Sequence, residues 1–363
     1  MKKKKRIAVL TAGGDCPGLN AVIRSVTKKA IFDHGMEVIG IHDGYDGLIH
    51  NRHRKLDPID VSGILTLGGT ILGTSNVANP YAYPVKKGKK TVFADLSQQA
   101  IENIQKLNVD ALVCIGGDGT LNIAHSLHKD GIPVVGVPKT IDNDIKGTDI
   151  TFGFYSAVNI VTDAIDKIHS TAMSHHRAMI VEVMGREAGW IALYAGVAGG
   201  GDVILIPEIP YDLNRICQIV KARHRKGQRF SIIVISEGAK PTGGKVVVKR
   251  KAADGSMPVR LGGISFVLGK QIEEITGLET RAVILGHLQR GGSPTAFDRI
   301  LGTNLGAEAV ELIVKKKFGH MSAVKGLAIV DAPLEIAAQG PRTVPKDHIL
   351  IKSARSLKTS FGI

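Results

Sequence analysis

The sequence predicts an α/β protein of two doubly wound units, each a mostly parallel sheet covered by helices on both faces. Three observations carry that prediction. Apolar runs of strand length recur along the chain, each followed by a turn and a stretch with helical spacing, which is how parallel strands joined by crossover helices read. The 363 residues exceed the size at which one hydrophobic core stops growing, so two cores are expected. The 43 glycines supply close backbone approaches, several of them at strand ends.

In chain order, the first strand is Ile7 to Leu10, closed by the turn Thr11 to Asp15. A helix follows over Asn20 to His34, with Ile23, Val26 and Ala30 at spacings of three and four and Gly35 as its stop. Ala111 to Ile115 is a buried strand with Cys114 in the core, followed by the glycine turn Gly116 to Thr120. Val134 to Val137 is the next, and Pro138 fixes its exit into the polar turn Lys139 to Asp144. If these three strands are neighbours, their turns meet at one carboxyl edge and form a crevice, where open α/β sheets bind ligands. Ala178 to Val183, Val203 to Ile206, Ser231 to Ile235 and Ala282 to Leu285 continue the alternation, and Gly238 to Gly255 is expected to be a mobile surface loop.

Composition narrows the function. The net charge of +14 is gathered partly in the runs Lys2–Arg6, Lys86–Lys90, Lys249–Lys251 and Lys315–Lys317. These runs are scattered and no nucleic-acid motif accompanies them, so they read as solvated surface that attracts anionic metabolites, with no nucleic-acid partner expected. Cys16, Cys114 and Cys217 have no Cys-x-x-Cys spacing, against a disulfide framework or structural zinc. The apolar run after the basic start is too short for a signal peptide, and Trp190 to Ile206 is too short and glycine-rich to span a bilayer. A cytoplasmic protein without a membrane partner is expected.

Three constellations carry chemistry. In Cys114–Thr120, "CIGGDGT", glycines turn backbone N–H groups toward a phosphate, the helix start adds positive potential, and Asp118 suits Mg²⁺ bridging phosphates. A second glycine turn in Thr11–Asn20, "TAGGDCPGLN", favours nucleotide binding, and the absence of Gly-x-x-x-x-Gly-Lys-Ser/Thr excludes a P-loop. In Pro138–Asp144, "PKTIDND", either Asp142 or Asp144 can take the proton of an acceptor hydroxyl while the other serves the metal or the local structure. Finally, Arg177, Arg186, Arg281 and Arg290 stand in turn-like contexts at the ends of apolar runs, where a guanidinium fork suits phosphate oxygens.

With "GGTILGTS" at Gly68–Ser75, "VEVMGREAGW" at Val181–Trp190, "IPE" at Ile206–Glu208, "SEGA" at Ser236–Ala239 and "ETRAVILGHLQRGGSPTAFDR" at Glu279–Arg299, these motifs run in one order over nearly the whole chain. Together they resemble the 6-phosphofructokinases of the bacterial ATP and pyrophosphate type, and within it the ATP-using form of the mixed-substrate subfamily. The resemblance implies two Rossmann-like three-layer αβα domains with the active site in the cleft between them. Residues 1–153 plus about 289–343 would bind the nucleotide donor, and 154–288 plus about 344–363 the sugar phosphate.

It further implies transfer of the γ-phosphoryl group of ATP to the 1-hydroxyl of fructose 6-phosphate with Mg²⁺, a step of glycolysis. Asp142 would be the general base, Thr140 a contact of the transferring group and Arg186 the stabiliser of transition-state charge. Gly14, Gly117, Asp118, Gly119, Thr120 and Lys139 would form the donor site, with Asp118 on the metal. The sugar-phosphate side would comprise Thr140, Ile141, Asp142, Arg177, Met184, Gly185, Arg186, Glu208, Arg281, His287, Leu288, Gln289 and Arg290. Arg177 and Arg281 would reach in from a neighbouring subunit, so a homotetramer or homodimer with shared active sites is implied.

Alternatives are a pyrophosphate-dependent enzyme and a non-catalytic regulatory subunit that binds sugar phosphate. In pyrophosphate users an Asp stands at the position of Gly119, where it would crowd and repel the α-phosphate of a nucleotide, so glycine favours ATP. Lys139 matches pyrophosphate users, but an ammonium serves either donor. Asn76 replaces a common Arg that touches donor phosphates. At the family's effector site Arg24 is in place, Lys28 replaces an Arg and Asn51–Lys55 diverges, so ADP activation is not expected.

Overall fold

Runs of apolar residues make strands buried on both faces: every residue of Ala111–Gly116, Ala178–Val183 and Ser231–Ser236 is buried. The structure, a computed structural model, describes residues 4–88, 90–250 and 260–363. Lys2, Lys3, Lys89 and Lys251 of the basic runs, and residues 251–255 of the expected loop, lie outside them.

In chain order the strands are β1 (Arg6–Thr11), β2 (Glu37–Ile41), β3 (His53–Leu56), β4 (Tyr83–Lys87), β5 (Lys90–Ala94), β6 (Ala111–Gly116), β7 (Val134–Pro138) and β8 (Ala178–Val183). They continue with β9 (Val203–Leu205), β10 (Ser231–Ser236), β11 (Val248–Arg250), β12 (Arg260–Leu261), β13 (Thr280–Ile284), β14 (His320–Lys325) and β15 (Ala328–Pro333). The chain divides into two units, the first running to Ser156 and including Arg290–Pro341, the second comprising Ala157–Gln289 and Arg342–Ile363.

The first unit holds a seven-stranded sheet in the order β15-β14-β7-β6-β1-β2-β3. Its inner pairs are parallel, and the edge strands β3 and β15 are antiparallel. Helices lie in layers against it. One face packs Leu10, Leu112, Cys114 and Val134 against Leu121, Ala124 and Leu127 of the helix Asp118–Lys129. The alternate residues Ile7 and Val9 point to the other face and are equally buried. There the helix Leu19–Phe32 packs on the helix Ala296–Val314.

The second unit holds a parallel four-stranded sheet in the order β13-β8-β10-β9. Its core includes Ile180, Leu205, Ile233 and Ile235 with Leu268 and Ile272 of the helix Ile264–Thr276.

Two expected boundaries shift. β13 begins at Thr280, not Ala282, because its pairing with β8 starts there through polar residues that an apolar-run reading omits. The first helix is Leu19–Phe32, with Asp33 as its C-cap. The three cysteines are buried free thiols. Among the described residues no helix is long and apolar enough to cross a membrane.

Candidate active site

β1, β6 and β7 are neighbours, and their carboxyl ends bring three turns to one edge of the first unit's sheet. Thr11 pairs with Ile115 and Gly116 with Pro138, so the strands end level. Backbone bonds then strap the turns together, Ala12 N–H to Ile115 O at 3.0 Å and Lys139 N–H to Gly116 O at 2.8 Å. The donor-side residues Gly14, Gly117, Asp118, Gly119, Thr120 and Lys139 line one cleft of about 380 Å³, together with Thr140, Asp142 and Arg290. Ile141, between Thr140 and Asp142, has its side chain wholly buried.

Glycine is forced at some of these positions and not at others. A Cβ on Gly116 would sit 2.3 Å from Thr120 at the root of its side chain, whereas one on Gly14 would meet only the mobile end of Arg290, at 2.7 Å from Nη1. At Gly119 a Cβ meets nothing within 4 Å, and the residue lies in ordinary helix. Neither packing nor backbone conformation requires glycine there, and its bareness leaves open space in the cleft. No side chain caps this helix start, so the first-turn N–H groups and the positive end of the helix dipole are left for an anion.

Two charged residues at the end of β7 sit in unusual surroundings. Lys139 is only 3% exposed and its Nζ donates to Gly14 O. Burial pushes its ammonium below the ordinary lysine value, against the pull of Asp15 and Asp142. Asp142 Oδ1 is sealed from solvent and has no hydrogen-bond partner in the protein. Burial pushes its carboxyl above the usual aspartate range; Arg290 and Lys139 oppose that rise and Asp118 adds to it. The turn is held by Asn143, at φ 53, whose Oδ1 accepts the Thr151 N–H at 3.0 Å. Thr151 Oγ1 in turn donates to Thr140 O at 2.7 Å. The cleft thus combines an uncapped helix start and two cations, suited to phosphates, with a carboxylate poised to accept a proton and a second carboxylate, Asp118.

In the second unit the expected sugar-phosphate residues fall into local groups. Met184 N–H donates to Gln289 Oε1 at 3.2 Å, and Gly185 O accepts the Ser236 hydroxyl. Glu208 accepts the Gly189 N–H at 3.0 Å and the Val344 N–H at 2.7 Å, and burial raises its carboxyl above the usual range against these bonds. Arg177 and Arg281 both bond to Glu279. Arg186, His287 and Leu288 are exposed.

Sequence reasoning missed two supports of the cleft. Tyr45, fully buried, donates from Oη to Thr120 O at 2.8 Å beneath the helix start, and nothing local in the sequence signals this. Thr74 and Ser75 clamp the first glycine turn, Thr74 Oγ1 donating to Gly13 O at 2.6 Å and Ser75 O accepting Gly13 N–H at 3.1 Å. Their signal was membership of the Gly68–Ser75 motif.

A family model described as phosphofructokinase matches residues 6–313. The ATP-dependent 6-phosphofructokinase 2 of Clostridium perfringens is 52% identical over 364 residues, covering 100% of this chain and 100% of its own. The ATP-dependent 6-phosphofructokinase of Spirochaeta thermophila is 48% identical over 99% of this chain and 98% of its own. Among solved structures, the phosphofructokinase of Pichia pastoris in the T-state is similar with a TM-score of 0.79 and 34% identity over 93% of this chain, which spans 36% of the Pichia chain. A family model over most of the chain and end-to-end relatives at about half identity agree with the site's chemistry, and the chain belongs to the phosphofructokinase family.

Proposed function

We propose that this chain is an ATP-dependent 6-phosphofructokinase, transferring the γ-phosphoryl group of ATP to the 1-hydroxyl of fructose 6-phosphate to give fructose 1,6-bisphosphate and ADP. The observation that carries the reading is Asp142: a sealed carboxylate oxygen without a partner, in the same cleft as an uncapped helix start and the cations Lys139 and Arg290. A carboxylate with a raised pKa, held where phosphates are attracted, is what deprotonating an acceptor hydroxyl requires. The names of the end-to-end relatives support the same donor and acceptor.

In this reading Asp142 takes the proton of the 1-hydroxyl as its oxygen attacks the γ-phosphorus, and the bond to ADP breaks. Thr140 contacts the transferring group and Arg186 offsets its developing charge. The donor phosphates lie on the first-turn N–H groups of Asp118, Gly119 and Thr120, beside Gly14, Gly117 and Lys139. Asp118 would hold Mg²⁺. One or two carboxylates plus phosphate oxygens suffice for that ion, and Asp118 lines the same cleft as the uncapped helix start, with Asp142 nearby, so the donor set fits. Bound there, the ion neutralises charge on the phosphates.

The first unit is then the donor domain. The second is the sugar-phosphate domain, through Arg177, Met184, Gly185, Arg186, Glu208, Arg281, His287, Leu288 and Gln289, with Ile141 contributing backbone and Arg290 the phosphate contact. Arg177 and Arg281 serve a neighbouring subunit's site, in a homodimer or homotetramer working in cytoplasmic glycolysis.

The test is a coupled assay of fructose 1,6-bisphosphate formation with Mg²⁺ and either ATP or pyrophosphate. Turnover with ATP alone is expected. Turnover with pyrophosphate would favour a donor site set by the buried Lys139 ammonium, and turnover with neither would favour a non-catalytic regulatory subunit.

A further inference from the structure

β8 and β13 run in parallel register, with Thr280 opposite Ala178 and Arg281 opposite Met179. The residues that lead into the two strands, Arg177 and Glu279, are therefore neighbours, and Ala178 N–H donates to Glu279 O at 3.0 Å. Arg281 stands two residues beyond Glu279 and so projects to the same side of the chain. One carboxylate consequently lies between two guanidiniums. Arg177 Nε donates to Glu279 Oε2 at 2.6 Å, and Arg281 Nη2 donates to Oε1. The rest of the Arg281 fork is turned inward, Nη1 onto Thr280 O at 2.7 Å, with Glu273 at 4.0 Å.

As a contribution to folding this trio is minor, because all three side chains are partly exposed, by 26%, 43% and 52%, and exposed pairs stabilise little. Its interest lies in which arginines it holds. Both are assigned to the sugar phosphate under the proposed function, and the inference rests on that assignment. The geometry points to Glu279 as a built-in stand-in for phosphate, which occupies Arg177 and Arg281 until fructose 6-phosphate displaces it and thereby sets the affinity for that substrate.

The chemistry supports displacement. A phosphate monoester carries more charge than a carboxylate and three acceptor oxygens, so it can win both guanidiniums. It must first break two charge-assisted bonds and approach a nearby anion. The Arg177 bond holds the Glu279 carboxyl below its usual range, so the competitor remains charged at working pH. Parking also keeps the two guanidiniums from repelling one another before substrate arrives.

The test is Glu279→Gln, which keeps the shape and removes the charge. The KM for fructose 6-phosphate is expected to fall about fivefold, in line with removal of one like charge near a surface phosphate. The kcat and the KM for ATP are expected to stay near wild type, a split that a merely structural role would not produce. The difference is expected to shrink at about 0.5 M salt, where surface charges are screened. Glu279→Asp, which keeps the charge, is expected to stay near wild type.

A glutamine variant with unchanged or raised KM would overturn the inference, since Glu279 would then only orient the arginines. An aspartate variant with a KM as low as that of the glutamine variant would also overturn it, by tying the effect to shape. Calorimetric titration with fructose 6-phosphate separates the two levels. A wild type that binds none overturns the proposed function and this inference with it; a wild type that binds, paired with a glutamine variant that binds no tighter, overturns the inference alone.

Discussion

Replacing Gly119 by Asp separates what the fold needs from what the donor needs. A Cβ at this position meets no atom within 4 Å, and the residue is the second of the helix Asp118–Lys129, so an Asp side chain can be accommodated without moving the protein. A negative charge in a first helical turn stabilises by about 0.3–1 kcal/mol, and the neighbouring Asp118 offsets part of that, so the melting temperature is expected to stay within about 2 °C of wild type.

The effect on ATP is different in kind. The new carboxylate projects into the cleft that the helix start lines, beside Asp118 and Asp142. Two unit charges about 4 Å apart interact by about 4 kcal/mol at an effective dielectric of 20, and halving this for solvent leaves about 2 kcal/mol against one phosphate charge. That corresponds to a rise of about 30-fold in the KM for ATP, before any steric conflict is counted. Coupled assays over a range of ATP concentrations, with thermal melts of the same preparations, measure both quantities. An ATP KM within threefold of wild type would rule out a charge conflict at this position, and a melting temperature lowered by more than about 5 °C would show that the space beside Gly119 is not open.

Two other outcomes follow from the cleft. Because burial holds the Asp142 carboxyl above the usual aspartate range and the base must be ionised, kcat is expected to fall on acidification from a pH above the ordinary aspartate value of about 3.9; a kcat profile flat down to that value would contradict the role of Asp142. Asn76 is exposed and lines the donor cleft, so Asn76→Arg adds a phosphate donor at a site with room for it, and the KM for ATP is expected to drop about fivefold or more, whereas an unchanged KM would show that Lys139 already supplies that charge.

What the sequence disclosed was whatever is local. The glycine turns and the polar exit from β7 were legible because phosphate binding at strand ends needs short, fixed spacings, and the neighbouring order of β1, β6 and β7 then brings them together. In the first unit's sheet β2, β3, β14 and β15 were not singled out: the edge strands β3 and β15 are only partly buried and read as polar or mixed, and the buried β2 and β14 have their apolar runs broken by Gly40 and by Ser322. Contacts across long stretches of chain left no trace at all. Tyr45 supports Thr120 from 75 residues away, and the buried Asp298 carboxylate accepts the Ser156 N–H at 2.7 Å across 142 residues. Glu279 stood in a quoted motif without a role, because only the β8 and β13 register brings it between two arginines. The choice between Asp142 and Asp144 was not available from spacing. Burial and the missing partner at Asp142 Oδ1 are properties of the folded turn.

Asp142→Asn removes the proposed base and leaves the rest of the cleft in place. Removing the base while keeping the shape is expected to lower kcat by about 10²–10⁴-fold, with little change in the calorimetric affinities for fructose 6-phosphate and ATP. The stability sign is also fixed: a carboxyl whose folded pKa is raised favours folding only while protonated, and that stabilisation is lost as pH rises through the folded value. At neutral pH the ionised group therefore costs stability, and the asparagine variant is expected to melt above wild type. A pure variant that keeps kcat within tenfold of wild type, or that melts lower, would contradict the assignment of Asp142 as the buried base of phosphoryl transfer.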